Sequence, residues 1–439
     1  MGAKQTFLGR LLASSDKFSD EQVAQTINLL IEHGVKHGAS DIHIEPHEQF
    51  VQVRYRIDNI LRSTHKLPLP ALPKVVEQLR ELASLRTDQT HLPAEGAYSI
   101  LVGEEQFEIQ VSIIPVIGGE KIVLHLSRRL AQPPALEALG FWGDSLKKLQ
   151  KALSYTHGLL LVGVPRRNGK STTMHSMLQL LTVPTVSVAT VEDKIDYTLS
   201  GVNQTKVRPA SGITFYAGLQ AVLTQDPNVI MISSIPDKQT VASTIEAAVG
   251  GHFMLAGVTA DNAVTAITHV QAAHEEAFLL GASLRASVSQ RLVRKLCVHC
   301  REQYTPDREE VSELEKAFGI ATTTTRQSVH QLEKHAEQDG LGGSGAMGTS
   351  TRGIVALWRA SEEGCEQCNH TGYQGSIGVV EVLDATDEVV QHAIVARATA
   401  SKLRSIALKA DFIPMELDGL VKALRGQTTI AEILRVLSI

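Results

Sequence analysis

The chain has 439 residues, of which 43% are apolar and 20% are charged, and its formal net charge is −5. This length predicts about three domains, and the negative charge gives no whole-chain electrostatic basis for binding nucleic acid. No apolar run approaches the ~18 residues of a membrane span, and the N-terminus lacks the order of a signal peptide. We therefore expect a cytosolic protein without a nucleic-acid partner.

The first part of the chain predicts a small α+β domain over residues 19–134, preceded by loosely ordered residues 1–18. The sequence Ser19-Asp20-Glu21-Gln22 has the spacing of a helix capping box. Apolar residues then recur at helical period to about His37. The domain is therefore expected to open with a helix.

Strands around a second helix are predicted for the rest of this domain. Several stretches alternate apolar and polar side chains, as half-buried antiparallel strands do. The outward charges, among them Arg54 and Arg56, fit either a solvated surface or a functional face. The predicted strands cover residues 41–45, 51–57, 98–102, 107–112 and 121–126, and the helix lies near residues 72–85.

From residue 135 to residue 296 the pattern changes to strands alternating with helices. This alternation predicts an α/β domain, in which a parallel sheet is wound with helices. Ligands of such sheets bind beyond the carboxyl ends of the strands, so functional side chains are expected directly after each strand. The predicted strands are residues 159–164, 186–191, 229–233 and 253–258, and the polar residues that follow the last three are Glu192-Asp193, Ser233-Ser234 and Thr259.

The stretch His157–Leu181 has the layout of a phosphate-binding P-loop. An aliphatic strand and a short polar loop lead into a helix that opens at Gly169-Lys170-Ser171-Thr172. Backbone N–H groups of the loop and helix would face an anion, Lys170 would add a point charge, and the Ser171 hydroxyl would ligate Mg²⁺. The full set of predicted loop contacts to a nucleotide is Arg166, Arg167, Asn168, Gly169, Lys170, Ser171 and Thr172.

The loop departs from the P-loop pattern in two ways. The pattern asks for glycine where the chain has Val164, and Arg166 and Arg167 occupy a loop that usually has small residues. A β-branched residue tolerates a positive φ poorly, so the outcome depends on the backbone angle at Val164. Two interpretations stay open: an altered loop that still holds phosphate, and a strand-turn-helix that no longer does.

The four cysteines of the chain form two paired spacings, Cys297-x-x-Cys300 and Cys365-x-x-Cys368. In a cytosolic chain these pairs predict tetrahedral Zn²⁺ bound by four thiolates rather than disulfides. The gap between the pairs is wider than the usual ~15–20 residues, so the two knuckles would meet across an insertion. The alternative is two reduced turns without metal.

The zinc module is predicted over residues 297–383, with a flexible insertion at about 305–353. That insertion contains threonine and glycine-rich stretches with few large apolar residues, which are typical of linkers. Residues 384–439 are predicted as a C-terminal helical region.

Taken together, these motifs resemble the secretion-type motor ATPases of type II secretion and type IV pilus assembly, and the resemblance covers nearly the whole chain. The matching motifs are Ala39–Pro46, Val53–Asp58, Gly169–Thr173, Val191–Asp193, Gln225–Met231, Gly251-His252, Gln290–Arg294, Cys297–Cys300 and Cys365–Tyr373.

The resemblance implies a sensor-like N-terminal domain hinged to a RecA-like ATPase domain, with a zinc module. It also implies ATP and Mg²⁺ as cofactors and hexamers whose nucleotide sites lie between domains. The implied partners are an inner-membrane platform protein and further subunits, either copies of this chain or an active paralogue. Larger members carry an additional N-terminal domain that docks on the platform, and this chain is expected to begin after it.

Several positions depart from the family's pattern. Ser234 stands where the family has the glutamate that polarises water or holds Mg²⁺, Pro236 stands at an arginine position, and Thr259 replaces a histidine. The arginines that reach the phosphates from the N-terminal domain correspond to Gln110 and His125. Two loop glycines correspond to Val164 and Arg167. The retained candidates are Glu192, Asp193 and His252 for catalysis, with a structural role as the alternative for each, and Arg54 and Arg56 as cationic groups for the nucleotide.

Three functions remain open. A positioned base contributes roughly 10²–10⁴ in rate and an arginine at the phosphates roughly 10³–10⁵, so losing them would stall a motor. The leading hypothesis is therefore a regulatory or structural subunit that binds ATP but hydrolyses it weakly, peripheral to the membrane platform. The alternatives are an active motor with relocated catalytic groups and a nucleotide-free, zinc-bearing adaptor.

Overall fold

The computed structural model describes residues 19–57, 60–87, 92–128, 132–342, 347–351 and 353–437. The predicted loose order of residues 1–18 lies outside this part of the chain. Two units are present, residues 1–130 and residues 131–439. Among the described helices, none has both the length and the apolar character needed to cross a bilayer.

Unit 1 is a six-stranded antiparallel sheet with the strand order β3-β2-β1-β6-β5-β4. Strand β3 was absent from the sequence prediction, because its apolar and polar residues do not alternate regularly. The strands are β1 (Ala39–Pro46), β2 (Phe50–Ile57), β3 (Ile60–Pro68), β4 (Ala94–Val102), β5 (Glu105–Val116) and β6 (Gly119–Arg128).

Two helices, α1 (Asp20–Lys36) and α2 (Leu72–Leu82), pack against this sheet. The predicted capping box is present: the Ser19 side chain accepts from the N–H of Gln22, and the Gln22 side chain accepts from the N–H of Ser19. Buried apolar residues of α1, α2 and alternate strand positions form one core. Because successive side chains of a strand point to opposite faces, the remaining strand side chains lie on the other, more polar face of the sheet.

Unit 2 contains a seven-stranded sheet with the order β17-β12-β7-β11-β10-β8-β9. All neighbouring strands are parallel except β17, which runs antiparallel to β12. The four predicted strands are β7, β8, β10 and β11. The bounds are β7 (Gly158–Gly163), β8 (Val188–Glu192), β9 (Val202–Lys206), β10 (Val229–Ile232), β11 (Phe253–Val258), β12 (Leu284–Leu296) and β17 (Tyr373–Asp384).

Helices cover this sheet, and their first turns are set by capping side chains. Asp237 accepts from the N–H of Thr240, and Asn262 accepts from the N–H of Thr265. At Gly163 a Cβ would lie 2.4 Å from the Cβ of Ala266, so glycine allows a helix to approach β7 closely. The helices are α3 (Gly143–Leu153), α4 (Lys170–Leu181), α5 (Phe215–Leu223), α6 (Lys238–Val249), α7 (Ala263–Ala273) and α8 (Ala277–Ser283).

Residues 305–353, predicted as a linker-like insertion, differ from that expectation in their described parts. Two helices, α9 (Arg308–Ala317) and α10 (Thr323–Gln338), bury apolar side chains against β12, β17 and the C-terminal helices. Apolar residues are sparse here, but those present recur on one helix face. Four short strands lie within or beside this segment: β13 (Glu302–Tyr304), β14 (Thr349–Ser350), β15 (Gly353–Ile354) and β16 (Leu357–Arg359).

The predicted C-terminal helices are α11 (Glu388–Val395), α12 (Ala400–Lys409), α13 (Met415–Leu424) and α14 (Ile430–Leu437). Glu381 on β17 is fully buried, and its oxygens accept from the N–H groups of Ala263 and Met415 at 2.6 and 3.1 Å. These are the first residues of α7 and α13, so one carboxyl caps both helices. Burial outweighs these two donors and raises the pKa of Glu381 to about 7.

Candidate functional site

The carboxyl ends of β7, β11, β10 and β8 lie side by side at one edge of the unit 2 sheet. The loop from Val164 to Gly169 follows β7, Asp193 follows β8, and Ser233 follows β10. The predicted parallel sheet is confirmed, and its register brings these segments to the same edge.

Val164 does not obstruct the loop. Its N–H donates to the backbone oxygen of Val258 at 3.1 Å, so it extends the pairing of β7 with β11, and its side chain is buried. It does not adopt a positive φ; the left-handed residues of the loop are Arg167 (φ 64°) and Gly169 (φ 81°). The backbone turn is thus made after Val164, and Arg167 takes a conformation that usually falls to glycine.

Two residues of β12 form hydrogen bonds with the loop. The Asn168 Oδ1 atom accepts from the N–H of Leu292 at 3.0 Å, and the Asn168 backbone oxygen accepts from Gln290 Nε2 at 2.6 Å. The Gln290 Oε1 atom in turn accepts from the Thr173 hydroxyl at 2.7 Å. The loop and the first turn of α4 are therefore tied to one buried glutamine.

Positive charge and a helix N-terminus face the same space. Lys170 is the first residue of α4 and is half-buried. Burial lowers the pKa of Lys170, and the charge of Arg166 lowers it further, whereas the charge of Asp193 opposes that change. The Asp193 Oδ1 atom accepts from the Ser233 hydroxyl at 2.7 Å. Asp193 is therefore the carboxylate held beside Lys170 and next to Ser234, the position of the missing glutamate.

Glu192 does not face this space. Its side chain is fully buried, and Oε1 accepts from Thr190 Oγ1 at 2.6 Å and from Gln204 Nε2 at 3.1 Å. The other oxygen, Oε2, lies 3.0 Å from His175 Nε2. Glu192 Oε1 is thus engaged inside the fold, and the catalytic role considered for this residue stays a prediction.

His252 lies away from the loop edge of the sheet. His252 directly precedes β11, and its backbone oxygen accepts from the N–H of Gly158, the first residue of β7. Its Nδ1 atom lies 2.7 Å from the Pro227 backbone oxygen. The residue therefore lies at the amino end of the sheet, about 20 Å from the loop edge at ~3.3 Å per residue, and its predicted catalytic role stays a prediction.

Arg54 and Arg56 lie on the polar face of the unit 1 sheet, each beside an acid. Arg54 Nη2 is 2.6 Å from Glu45, and Arg56 Nε is 3.1 Å from Asp41. His125, at one of the substituted arginine positions, also pairs with Asp41. Within unit 1 the two arginines thus have carboxylate partners, and their predicted contact to a nucleotide stays a prediction.

A cleft of about 200 Å³ adjoins the loop. It lies beside the start of α4 and is lined by small and apolar residues together with three polar ones. The lining residues are Ala138, Leu139, Gly169, Thr172, Gln290, Leu292, Ser376 and Gly378.

The four cysteines converge, as the paired spacing predicts. Their sulfur atoms all lie within 4.8 Å of one another, and the separations of Cys297–Cys365, Cys300–Cys368 and Cys365–Cys368 are 3.7, 3.8 and 3.7 Å. A tetrahedron with zinc–sulfur bonds of about 2.3 Å has edges of roughly 3.8 Å. The arrangement thus fits tetrahedral Zn²⁺.

Backbone donors also favour thiolate at this centre. The N–H groups of Cys365 and Gly372 each lie 3.2 Å from the Cys368 sulfur. Although burial opposes the change, these donors lower the pKa of Cys368 to about 6. Thiolate is the form that binds a metal.

Sequence reasoning missed the side chains that support the site from inside. Gln290 lies in a quoted motif, but its hold on Asn168 depends on the register of β12 with β7. The ring of His175, on α4, packs against the ring of Tyr197 with the two ring centroids 5.1 Å apart. The only sequence signal for His175 is a polar residue one turn after Ser171, which is too weak to single it out.

The loop after β7, an interior strand of a mainly parallel sheet with this order, gives unit 2 a RecA-like fold. The chain matches the family described as Type II/IV secretion system protein over residues 16–435, and it belongs to that family.

The relatives span more sequence than this chain does. The type IV pilus assembly ATPase PilB of Thermus thermophilus is 34% identical over 416 residues, which are 94% of this chain and 43% of that protein. The type II secretion system protein E of Xanthomonas campestris is 32% identical over 424 residues, which are 97% of this chain and 69% of that protein. The chain thus spans less than half of the PilB relative.

Solved structures share the fold. The ATPase DotB of Legionella pneumophila has a TM-score of 0.62 at 15% identity, and the match covers 96% of this chain and 96% of DotB. The pilus retraction motor PilT, solved with bound ADP, has a TM-score of 0.56 at 18% identity, with 92% of this chain and 95% of PilT covered. At these identities the likeness concerns the fold.

Proposed function

We propose that the chain binds ATP and Mg²⁺ at the loop before α4 and hydrolyses ATP weakly, as a regulatory or structural subunit of a type IV pilus or type II secretion motor. The observation that carries this proposal is the combination of a helix that begins at Lys170 after a left-handed Gly169 with Ser234 at the glutamate position. The names of the relatives, a pilus assembly ATPase and a type II secretion system protein E, support the motor context.

The loop supports binding through three features. The N-terminus of α4 and the left-handed Gly169 direct N–H groups outward, which favours an anion. Lys170 and Arg166 add positive charge, and Ser171 offers a hydroxyl for Mg²⁺. The adjoining cleft would receive the base, since its lining near Leu139 and Leu292 is apolar.

The strand ends support weak turnover. Without a positioned base the rate falls by roughly 10²–10⁴, and an ordinary turnover of ~10 s⁻¹ then drops to 0.1 s⁻¹ or less. Ser234 has no proton-accepting carboxylate, and Glu192 is enclosed by His175, Thr190 and Gln204.

A second candidate is an active motor that uses Asp193. This carboxylate lies beside Lys170 and is oriented by the Ser233 hydroxyl. Its partner Ser233 directly precedes Ser234, and Asp193 would take the role of water-polarising group or Mg²⁺ ligand.

One preparation tests both candidates. An ATP titration by calorimetry and a phosphate-release assay are run on wild type, Lys170→Ala and Asp193→Asn. Weak hydrolysis predicts micromolar binding that Lys170→Ala abolishes, and a turnover well under 1 s⁻¹ that Asp193→Asn leaves unchanged. Turnover near 1 s⁻¹ that both variants abolish would establish the motor instead.

We further propose that Cys297, Cys300, Cys365 and Cys368 bind one structural Zn²⁺, which would join the two knuckles across the intervening insertion. Metal analysis of protein purified without chelator is expected to find one zinc per chain, and Cys368→Ser to lose it and to destabilise the module. His299→Ala, an exposed knuckle residue, is the control. Well-folded, metal-free wild type would contradict the assignment.

For partners we propose the inner-membrane platform protein of the same machine, together with further motor subunits in a hexamer. The support is the family membership and the fold shared with DotB and PilT. Size-exclusion chromatography with light scattering, with and without ATP and a purified active paralogue, separates a homo-hexamer from a mixed one. A monomer under every condition would remove the assembly part of the proposal.

A further inference from the structure

A fully buried lysine bonds to two segments that contribute to the lining of the cleft beside the phosphate loop. Lys422, on α13, has no exposed surface, and its Nζ atom donates to the backbone oxygens of Gly140 and Gly378, each at 2.7 Å. Its third donor goes to Asp418 Oδ2 at 2.6 Å. An ammonium group has three N–H donors, so all the donors of Lys422 are used inside the fold.

Asp418 completes this arrangement. It is buried one helical turn before Lys422, and residues four apart share one helix face. Its carboxylate accepts from the Trp142 Nε1–H at 2.6 Å and from the N–H of Val380 at 2.8 Å. A buried ion pair is often no more stabilising than apolar side chains of the same volume. Stability alone therefore does not explain the pair, and its partners indicate what it fixes.

The two segments that Lys422 joins are in direct backbone contact. The N–H of Gly378, on β17, donates to the backbone oxygen of Leu139 at 3.0 Å. A Cβ at Gly378 would lie 2.6 Å from that oxygen, and a Cβ at Gly140 would lie 2.5 Å from the Gly378 oxygen. Both glycines are thus required by the close approach of the loop before α3 to β17, which Lys422 bridges.

These segments supply half of the cleft lining. Ala138 and Leu139 come from the loop before α3, and Ser376 and Gly378 come from β17. The other lining residues belong to the phosphate loop, α4 and β12. Contacts to phosphate are expected from residues 166–172, whereas the donors of Lys422 all go to the segments around Gly140 and Gly378 and to Asp418. The lysine therefore acts on the cleft and not on the phosphates.

We propose that Lys422 is a positioning residue for the nucleoside part of ATP. It fixes residues 138–140 and 376–378 in the arrangement that receives the base, so its loss weakens the binding of ATP but not that of inorganic triphosphate. This inference rests on the proposed ATP site, and it adds a residue that determines specificity for a nucleotide over a bare phosphate chain.

Calorimetric titration of ATP and of inorganic triphosphate, each with Mg²⁺, tests the proposal on one preparation. Wild type is expected to bind ATP more tightly than triphosphate. The variant is Asp418→Asn with Lys422→Met, because removing the lysine alone would leave an uncompensated buried carboxylate. Its affinity for ATP should fall roughly tenfold, which corresponds to about 1.4 kcal/mol, and its affinity for triphosphate should equal that of wild type.

The matched control is Asp144→Asn with Lys147→Met. These residues form an Asp–Lys pair on α3 with 3.8 Å between Nζ and Oδ1, but both side chains are exposed. Both affinities should follow wild type. A merely structural role of Lys422 would lower the melting temperature of the first variant without changing the ratio of its two affinities.

The outcomes separate this inference from the proposed function. Equal losses for the two ligands, or no loss, would overturn the role of Lys422. Wild type that binds ATP no more tightly than triphosphate would also overturn it, while leaving the phosphate site in place. If wild type binds neither ligand, the proposed function and this inference fall together.

A second variant covers the case in which the double variant does not fold by circular dichroism. Lys422→Arg keeps a positive charge beside Asp418, but a planar guanidinium does not reproduce the donor geometry of an ammonium group. The selective loss of ATP affinity must then appear in Lys422→Arg. Wild-type affinities for both ligands in this variant would overturn the proposal.

Discussion

The phosphate loop and the carboxyl ends of β8 and β10 border the same space but have changed in different ways. The loop contains a valine and an arginine where the family has glycines, yet Val164 continues the strand and Arg167 adopts the left-handed turn. At the strand ends one substitution, Ser234, removes the expected carboxylate, and the neighbouring Glu192 is enclosed in the fold.

The difference follows from what each region requires. Phosphate binding depends on backbone N–H groups and a helix end, which many side chains can accommodate. Water activation depends on a particular functional group within hydrogen-bond reach of the reacting atoms. A loop can therefore survive substitution that a catalytic position cannot.

The largest expected effect comes from returning the carboxylate. Ser234→Glu should raise ATP turnover by roughly 10²-fold, the low end for a positioned base, because other departures such as Pro236 remain. Phosphate release under saturating ATP measures it. Ser234→Glu combined with Lys170→Ala should fall back to baseline, and an unchanged rate in the single variant would show that this position is not what limits turnover.

Glu381 is a second buried carboxylate in the same sheet. Its donors are backbone N–H groups, whereas those of Glu192 are side chains. Its pKa rises from 4.5 to about 7 on folding, so between these values only the folded chain holds the proton. Its contribution to stability is therefore present below pH 4.5 and declines as the pH rises through 7, by about 3 kcal/mol in total.

Glu381→Gln should remove this decline. Denaturant unfolding at pH 5 and pH 8 measures the change relative to wild type, and Glu388→Gln, an exposed glutamate on α11, should retain the wild-type difference. A difference between the two pH values that Glu381→Gln shares with wild type would contradict the assignment.

A smaller effect is expected where the loop is anchored. Asn168→Ala leaves the Leu292 N–H without its acceptor, which costs about 1–2 kcal/mol, and we expect ATP affinity to fall roughly tenfold. Calorimetry at constant pH measures this. Asn203→Ala, at an exposed position of edge strand β9, should leave affinity unchanged. Equal ATP affinities in wild type and both variants would show that the loop keeps its conformation without the Asn168–Leu292 hydrogen bond.

The smallest effect concerns the strained residue. Arg167→Gly relieves a left-handed arginine, a gain of roughly 1–2 kcal/mol, but glycine adds about 0.5–1 kcal/mol of unfolded-chain entropy. We expect a net stabilisation below about 1 kcal/mol in thermal unfolding. Arg166→Gly carries the entropy cost without the relief and should destabilise, so the opposite order would contradict the loop conformation.

Local pattern predicted much of the fold. The capping box at Ser19, the strands β7, β8, β10 and β11, and the convergence of four cysteines all follow from short-range spacing. The segment 305–353 was predicted less well because its few apolar side chains are buried only by packing against α13 and α14, which lie far away in sequence.

The sequence by itself determined the family, the parallel sheet, the loop with Lys170 and the sulfur ligands, because each depends on residues close together or on a fixed strand order. Only the tertiary structure decided which groups lie at the loop edge of the sheet. It placed His252 at the opposite end of β11, enclosed Glu192 against His175 and left Asp193 beside Lys170. The direction and partner of a side chain depend on the packing of distant elements, which spacing along the chain does not encode.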